Sequence, residues 1–595
     1  MKCFTMAFPV VILTIAMFFI CTQVLRADNP SGISTGLKQP VAVYNNWSAY
    51  DELSDNIPQT EALAMRLLDE VVRLKKLGVQ IDYYVMDAFW FDVDGGYRVW
   101  NRKNWPDGPG RWLEACKSNN IKPGLWFSTN LIHAGGKPML NMIPEWEDSA
   151  TSNGAVLSLF EGGYLKHLME TLQMYADMGF RVFKFDFAYF DAASDDAKRN
   201  TLPAEIEELN KRAFIQAIKK FRTKNPEVIF IAYNGFGGDM DDTITPFRKT
   251  VDLRWLEIFE TLYSGDPRIS DVPMINFWRS QDLYSDHMVQ QFAFNGLPLS
   301  RIDNCAFMIG TTGTCYQRGK AAWKGALILT LARSGWLNVY HGNLELLNDS
   351  DAVWFGRVQK TYMQLQRFGQ TTIWGAIAGS GEPYGYWSET MDGSLFTIVN
   401  PSQSIREIDL PGQNGNSCRI LFHDSGFQPI IQDAKLVLGA EQLAVVGFGK
   451  YSSVSYDWGV GEDIIVPSQI EPLETAIDIT GSHSANAKIT PAANKNIRVL
   501  FSQCNREGKP FRSWGGAPPD GIRMNEFLSI SAKQGKKNIP VKIEYDKMIW
   551  CGLSWAAGEI QASDIDPKQH VEIIFTSKEG ESKNFVIKIY LTHLR

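Results

Sequence analysis

In the stretch RVFKFDFAYF, residues 181–190, a lysine and an aspartate stand two positions apart inside a run that is otherwise aromatic and β-branched. If the run is a strand, Lys184 and Asp186 project from one face of it. Taking two opposite charges out of water is expensive, and a pair kept for stability alone rarely recovers that cost. A lysine beside Asp186 favours the ionised carboxylate, the form a carboxylate nucleophile needs. The bland alternative is a buried ion pair that only satisfies itself.

Residues of the same kind close other apolar runs. IDYYVMDAFW carries Asp87 and Trp90, IKPGLWFSTN carries Trp126 and Asn130, and VIFIAYNGFGG carries Tyr233 and Asn234 ahead of a glycine turn. Polar hydrogen-bonders beside indole faces suit a sugar ring, whose hydroxyls need partners and whose C–H face stacks on an aromatic. Taken singly, Trp126 also reads as core and Asn234 as a turn residue.

These runs need elements that aim them at one place. VAVYNNW (41–47) precedes the helical pattern TEALAMRLLDEVVRLKKLG, with leucine and valine recurring at three and four residues. The alternation continues: IDYYVMD, a helix over GRWLEACKSNN, IKPGLWF, the helix YLKHLMETLQMYADMG, RVFKFDF, the helix EIEELNKRAFIQAIKKFRTKN and VIFIAYN. Later strands are read in VDLRWLEIF or MINFWRSQD, near PLSRID, and in WLNVYHG (336–342) after the helix KAAWKGALILTLARSG. Repeated strand–helix units build a parallel sheet, and about eight close a (β/α)8 barrel whose active site lies at the C-terminal strand ends. After the helix DAVWFGRVQKTYMQLQRFG the pattern becomes short strands with Gly, Pro, Asn and Ser turns, such as SLFTIVN, LAVVGFG and KNFVIKIYL. An all-β, sandwich-like region is therefore expected from about residue 372. The expected division is a leader over 1–27, the barrel over 38–370, a β-sandwich over 371–465 and a further β-rich region over 466–595.

With 595 residues, 45% of them hydrophobic, the chain exceeds one ordinary domain. Its 59 basic and 66 acidic residues form no basic block, which argues against a nucleic-acid partner. The N-terminus has one early lysine, an apolar stretch from Met6 to Cys21 and a polar exit, the pattern of a secretory leader cleaved near Ala27. Lipidation at Cys21 is the alternative, and the bulky Ile20 before it suits that poorly. No later segment is apolar enough to span a bilayer. Secretion or export to a periplasm follows as the expected location. Cys116, Cys305, Cys315, Cys418, Cys504 and Cys551 remain after cleavage, with no CxxC or zinc-like cluster. Cys305 and Cys315 are spaced for one loop-closing disulfide, or stay as free buried thiols.

The ordered motifs resemble the melibiase-type α-galactosidases, of the retaining clan that includes the animal α-galactosidases. VYNNWSAYD is similar to that family's first-strand Asn-Ser-Trp-Glu element, VMDAFW to its Asp-Asp-Gly-Trp, and WPDGPGRWLEACKSNNIKPGLWF to its Pro-x-Gly, helix, Gly-Leu-Trp-Phe block. FKFDF resembles its Lys-Trp-Asp nucleophile motif, and YNGFGG stands where it has Cys-Ser-Gly-Gly. The likeness runs through PLSRIDNC and RGKAAWKGALIL to about residue 345.

The resemblance implies a retaining α-glycosidase with two carboxylates about 5 Å apart. Asp186 is the implied nucleophile. The acid/base is expected at a strand end two positions further around the barrel, where FWRSQDLYSD offers Asp282, with Arg279 for a sugar hydroxyl. Asp286 close behind and Glu257 in VDLRWLEIFE are rivals. Asp87, Trp90, Trp126, Lys184 and Asn234 complete the implied substrate contacts. Two departures bear on specificity: the family's second strand-two aspartate is Ala88 here, and its strand-five Cys-Ser pair is Tyr233 and Asn234. The expected partner is an oligosaccharide or polysaccharide ending in an α-linked sugar, with no metal or organic cofactor. The rival readings are a hydrolase or transglycosylase for another α-linked pyranose, and a non-catalytic carbohydrate-binding barrel.

Overall fold

The computed structural model describes residues 37–50, 57–134, 137–237, 240–241, 247–248, 251–265, 267, 269–270, 272–303, 307–310, 319–411, 417–461, 469–478, 484–504, 528–544, 555–577 and 584–593. The leader, Cys305, Cys315 and Cys551 lie outside these residues.

Eight strands run parallel in one sheet: β1 (Val41–Asn45), β2 (Tyr83–Met86), β3 (Lys122–Ser128), β4 (Val182–Asp186), β5 (Ile229–Ala232), β6 (Thr261–Tyr263), β7 (Ile302–Asp303) and β8 (Leu337–Gly342). β1 to β7 pair in chain order and β8 returns to β1. The two edges of this order are pieces of one segment, because β7 pairs β6 while the ninth strand, Met308–Ile309, pairs β8. The Trp336 N–H also donates to the Ser300 carbonyl at 3.1 Å and His341 to Phe307 at 3.0 Å. The parallel sheet thus wraps round upon its seventh segment.

Alternation decides what points where. Val182 on β4 belongs to an interior cluster with Val41, Val43, Val85, Ile229, Ile231 and Val339. Phe183 and Phe185 point the other way and pack against Phe127, Phe221 and Phe214 under the helices. Lys184 and Asp186 share the parity of Val182, so they continue the interior column above an apolar plug.

The covering helices are α1 (Glu61–Lys76), α2 (Gly110–Ser118), α3 (Tyr164–Met178), α4 (Pro203–Lys224), α5 (Phe277–Phe294), α6 (Trp323–Ala332) and α7 (Asp349–Phe368). α1 is typical of how they form: the Thr60 hydroxyl caps Leu63 N–H, and the stripe Ala64, Leu67, Leu68, Val71 and Leu74 is buried. One element differs from the sequence reading. The sixth strand is Thr261–Tyr263, preceded by a 3-10 turn over Leu253–Glu257, whereas FWRSQDLYSD opens α5.

From Gln370 onward the described chain is β-rich. A six-stranded sheet starting at Gln370–Gly375 faces a three-stranded sheet over Phe396, Ile398, Ile408, Leu436, Leu438 and Val446. Beyond Gln469, five- and four-stranded sheets enclose Ile497, Val499, Phe501, Ile573, Phe575 and Ile587.

Candidate active site

Asp186 ends β4 and is 7% exposed. Its Oδ1 accepts three N–H groups: Phe187 N at 2.9 Å, Asn234 N at 3.1 Å and Asn234 Nδ2 at 2.9 Å. Oδ2 accepts the Trp126 indole N–H at 3.1 Å. Oδ1 is saturated, so the carboxylate cannot rotate freely, and Oδ2 keeps a lone pair for an incoming carbon. Burial pushes the Asp186 carboxyl above the ordinary carboxylate range, opposed by Lys184 and by the Asn234 and Trp126 hydrogen bonds.

The turn that delivers Asn234 is built for this. Gly235 has φ +100°, and a Cβ there would stand 2.2 Å from the Ala188 carbonyl oxygen, so only glycine fits. The Ala188 N–H donates back to the Asn234 carbonyl at 3.1 Å, which locks the exits of β4 and β5 together. This is the physical role of the YNG run.

Lys184 does not make its ion pair with Asp186. Its Nζ donates to Asp87 Oδ2 at 2.8 Å, and both side chains are buried. The ammonium lies 3.9 Å from the centre of the Tyr233 ring and 6.0 Å from that of Trp47. Asp87, fully buried, also accepts the Ala88 N–H through Oδ1 at 2.9 Å, and its own N–H donates to Asn46. Lys184 therefore reaches Asp186 through its field, and Asp87 holds it in place.

The expected aromatic contacts separate into two kinds. Trp126 touches Asp186 directly. Trp90 is wholly buried, packs on Tyr97, Trp100 and Tyr175, and donates its indole N–H to the Trp126 carbonyl at 3.0 Å. Trp90 thus supports β3 from outside the ring and does not line the opening.

The residues expected around the acid/base lie elsewhere. Arg279 and Asp282 are 1% and 2% exposed, on α5. Arg279 pairs with Asp282 at 3.0 Å and with Asp424 of the six-stranded sheet. Asp286 accepts from Arg333 Nε at 2.7 Å and from the Tyr384 and Tyr386 hydroxyls at 2.8 and 2.9 Å. Glu257 sits on the 3-10 turn before β6, at the N-terminal side of the sheet, paired with Lys219. Asp282, Asp286 and Glu257 thus stand at no C-terminal strand end of the parallel sheet.

Sequence reasoning missed three groups at the strand ends. Tyr189 is 42% exposed just beyond Asp186, its backbone held on both sides by Asn130 at 2.8 and 2.7 Å. Asp303 at the end of β7 and His341 on β8 are buried, and Lys184 acts on both. Burial pushes the Asp303 carboxyl up to about 7, against the pull of Lys184 and Tyr233. Burial, then Lys184, holds His341 well below its ordinary value. Both stood in quoted strand runs, PLSRID and WLNVYHG, so their strand-end position was the available signal.

No family model matches the sequence. The chain is similar to the α-galactosidase Mel36A of Lactobacillus acidophilus, with 26% identity over 223 residues, which are 34% of this chain and 28% of that protein. In structure it is similar to the GH36 α-galactosidase AgaA of Geobacillus stearothermophilus, crystallised in complex with stachyose. That likeness has a TM-score of 0.50 at 14% identity and covers 69% of this chain and 55% of AgaA. The α-galactosidase of Lactobacillus brevis matches at a TM-score of 0.46 and 16% identity, over 69% of this chain and 55% of the other. The α-galactosidase resemblance of the motifs therefore has a curated homologue behind it, and the parallel-sheet architecture has a solved counterpart. The match spans just over a quarter of the curated relative's length.

Proposed function

We propose that this chain is a secreted glycosidase of the α-galactosidase type that removes terminal α-linked sugars from oligosaccharides with retention of configuration, Asp186 being the nucleophile. The observation that carries the reading is the Asp186 carboxylate at the mouth of the ring, with one oxygen fixed by three N–H groups and the other by an indole. Such a group is oriented before substrate arrives, so little reorganisation is left for the reaction step. Attack at the anomeric carbon breaks the glycosidic bond and forms a glycosyl–Asp186 ester. A carboxylic acid protonates the departing oxygen and then, as a carboxylate, takes a proton from the water that opens the ester.

The partner carboxylate belongs at the exit of β6, two strands on from β4. The sequence supplies Asp266 there, three positions beyond Tyr263 and outside the described residues. In this reading Asp282 and Arg279 are pairing residues of α5. Ala88, apolar and 4% exposed, favours a second reading in which the preferred glycoside is another α-linked pyranose.

A panel of aryl α- and β-glycosides tests the class. The expected result is turnover of an α-glycoside, and Asp186→Gly with azide yielding the β-glycosyl azide. Turnover confined to β-glycosides, or an Asp186→Gly enzyme with wild-type rates, overturns the reading.

A further inference from the structure

The chain leaving β6 is held from outside the parallel sheet. At its start, Ser264 donates its N–H and its hydroxyl to the Asp303 carbonyl, at 2.9 and 3.1 Å. Beyond that point it enters a cluster in which Ile269, Ile275 and Phe277 pack on Leu500, Trp555, Ala557 and Tyr590 of the five-stranded sheet. Trp555, wholly buried, donates its indole N–H to the Ser270 carbonyl at 2.9 Å. Arg498 donates to the Ile275 carbonyl at 3.2 Å while paired with Glu559 at 2.8 Å. From the turn that leads into the strand Leu443–Gly449, the fully buried Glu441 accepts the Ile275 and Asn276 N–H groups, at 2.8 and 2.5 Å, at the start of α5.

We infer that the region beyond residue 469 is a positioning element for the reaction: Trp555 and Arg498 fix the exit of β6. The inference rests on the proposed function, which puts the acid/base on that exit. Backbone carbonyls bonded to rigid side chains hold a segment far better than apolar contact alone, because they fix direction as well as distance. A misplacement of about 1 Å at a reacting group costs on the order of 100-fold in rate. A tethered binding module would need none of these contacts, and its loss would leave small substrates unaffected.

The test uses the full chain carrying Arg498→Met with Trp555→Phe, which keeps an aromatic ring in the cluster and removes both hydrogen bonds to the exit. Two aryl α-galactosides are compared: phenyl, whose departure needs a proton, and 2,4-dinitrophenyl, whose departure does not. The expected result is a drop in kcat for the phenyl substrate on the order of 10- to 100-fold larger than for the dinitrophenyl one. Equal losses on both, or none, overturn the inference. Amide hydrogen exchange gives an arm independent of activity. Exchange in peptides spanning 264–278 should rise at least about tenfold while that of β4 stays unchanged, and unchanged exchange at 264–278 also overturns it. If the wild-type chain cleaves no aryl α-glycoside, the functional reading falls, and the exchange arm alone decides whether the exit is clamped.

Discussion

Two clusters of buried charge divide this molecule. At the mouth of the ring, Lys184 pairs with Asp87, and Asp186 beside them has only N–H donors and an oxygen with capacity to spare. On α5, Arg279 is shared between Asp282 and Asp424, and Asp286 between Arg333 and two tyrosine hydroxyls. The second cluster meets partners from the six-stranded sheet, and each of its carboxylates is paired with a guanidinium. In the first, Asp186 makes no ion pair among the described residues and stands at the C-terminal end of β4. Buried charge with matched partners joins parts, whereas buried charge with a spare lone pair can react.

The contrast is sharpest for matched asparagine substitutions. Asp186→Asn is expected to cut turnover on the order of 10,000-fold while the unfolding midpoint moves less than for a break in the α5 cluster, since the amide oxygen keeps the three bonds of Oδ1 and only the Trp126 indole N–H loses its acceptor. Asp282→Asn is expected to keep kcat within about a factor of two wherever the protein is folded. Steady-state rates beside urea titrations read both, and a rate collapse in Asp282→Asn would merge the two clusters into one site.

Breaking the α5 cluster should appear as stability. Arg279→Met leaves Asp282 and Asp424 buried without their guanidinium, which costs about 3–5 kcal/mol. A urea midpoint unchanged from wild type would mean that the cluster joins nothing.

The smallest effect concerns pH. Asp303 titrates near 7 in the folded chain against an ordinary 3.8, because burial disfavours its charge. Between those values the folded state holds a proton that the unfolded state has released. Stability contributed by this group is therefore full below about pH 4 and falls as pH rises through 7, at up to about 1.4 kcal/mol per pH unit. Asp303→Asn should flatten the difference in urea midpoint between pH 5 and pH 8, and an unaltered difference would remove Asp303 from the account.

How much could be read beforehand follows from element length and burial. β1 to β5 and β8 are runs of four to seven residues with clear alternation or apolar continuity, and all were legible. β7, of two residues, falls in the segment read near PLSRID, whereas β6 has three residues, too few for any period to show. α5 misled for the opposite reason. It is buried on nearly every side, polar residues included, so no apolar stripe distinguishes FWRSQDLYSD from a strand. Asp282, the expected acid/base, therefore lies on a helix and not at the strand end where it was expected.

Sequence alone determined that Lys184 and Asp186 share one face of a strand, because alternation is local and needs no partner. It also placed a glycine turn after Asn234, whereas the approach of the Ala188 carbonyl that leaves room for no other residue at Gly235 came from the packing of β4 against β5. Which charge answers which was decided by the tertiary structure. Lys184 finds Asp87 from 97 residues away and Arg279 finds Asp424 from 145. An ion pair is chosen by distance and by the water excluded around it, and both come into being only when the parallel sheet and the β-sheets close on one another.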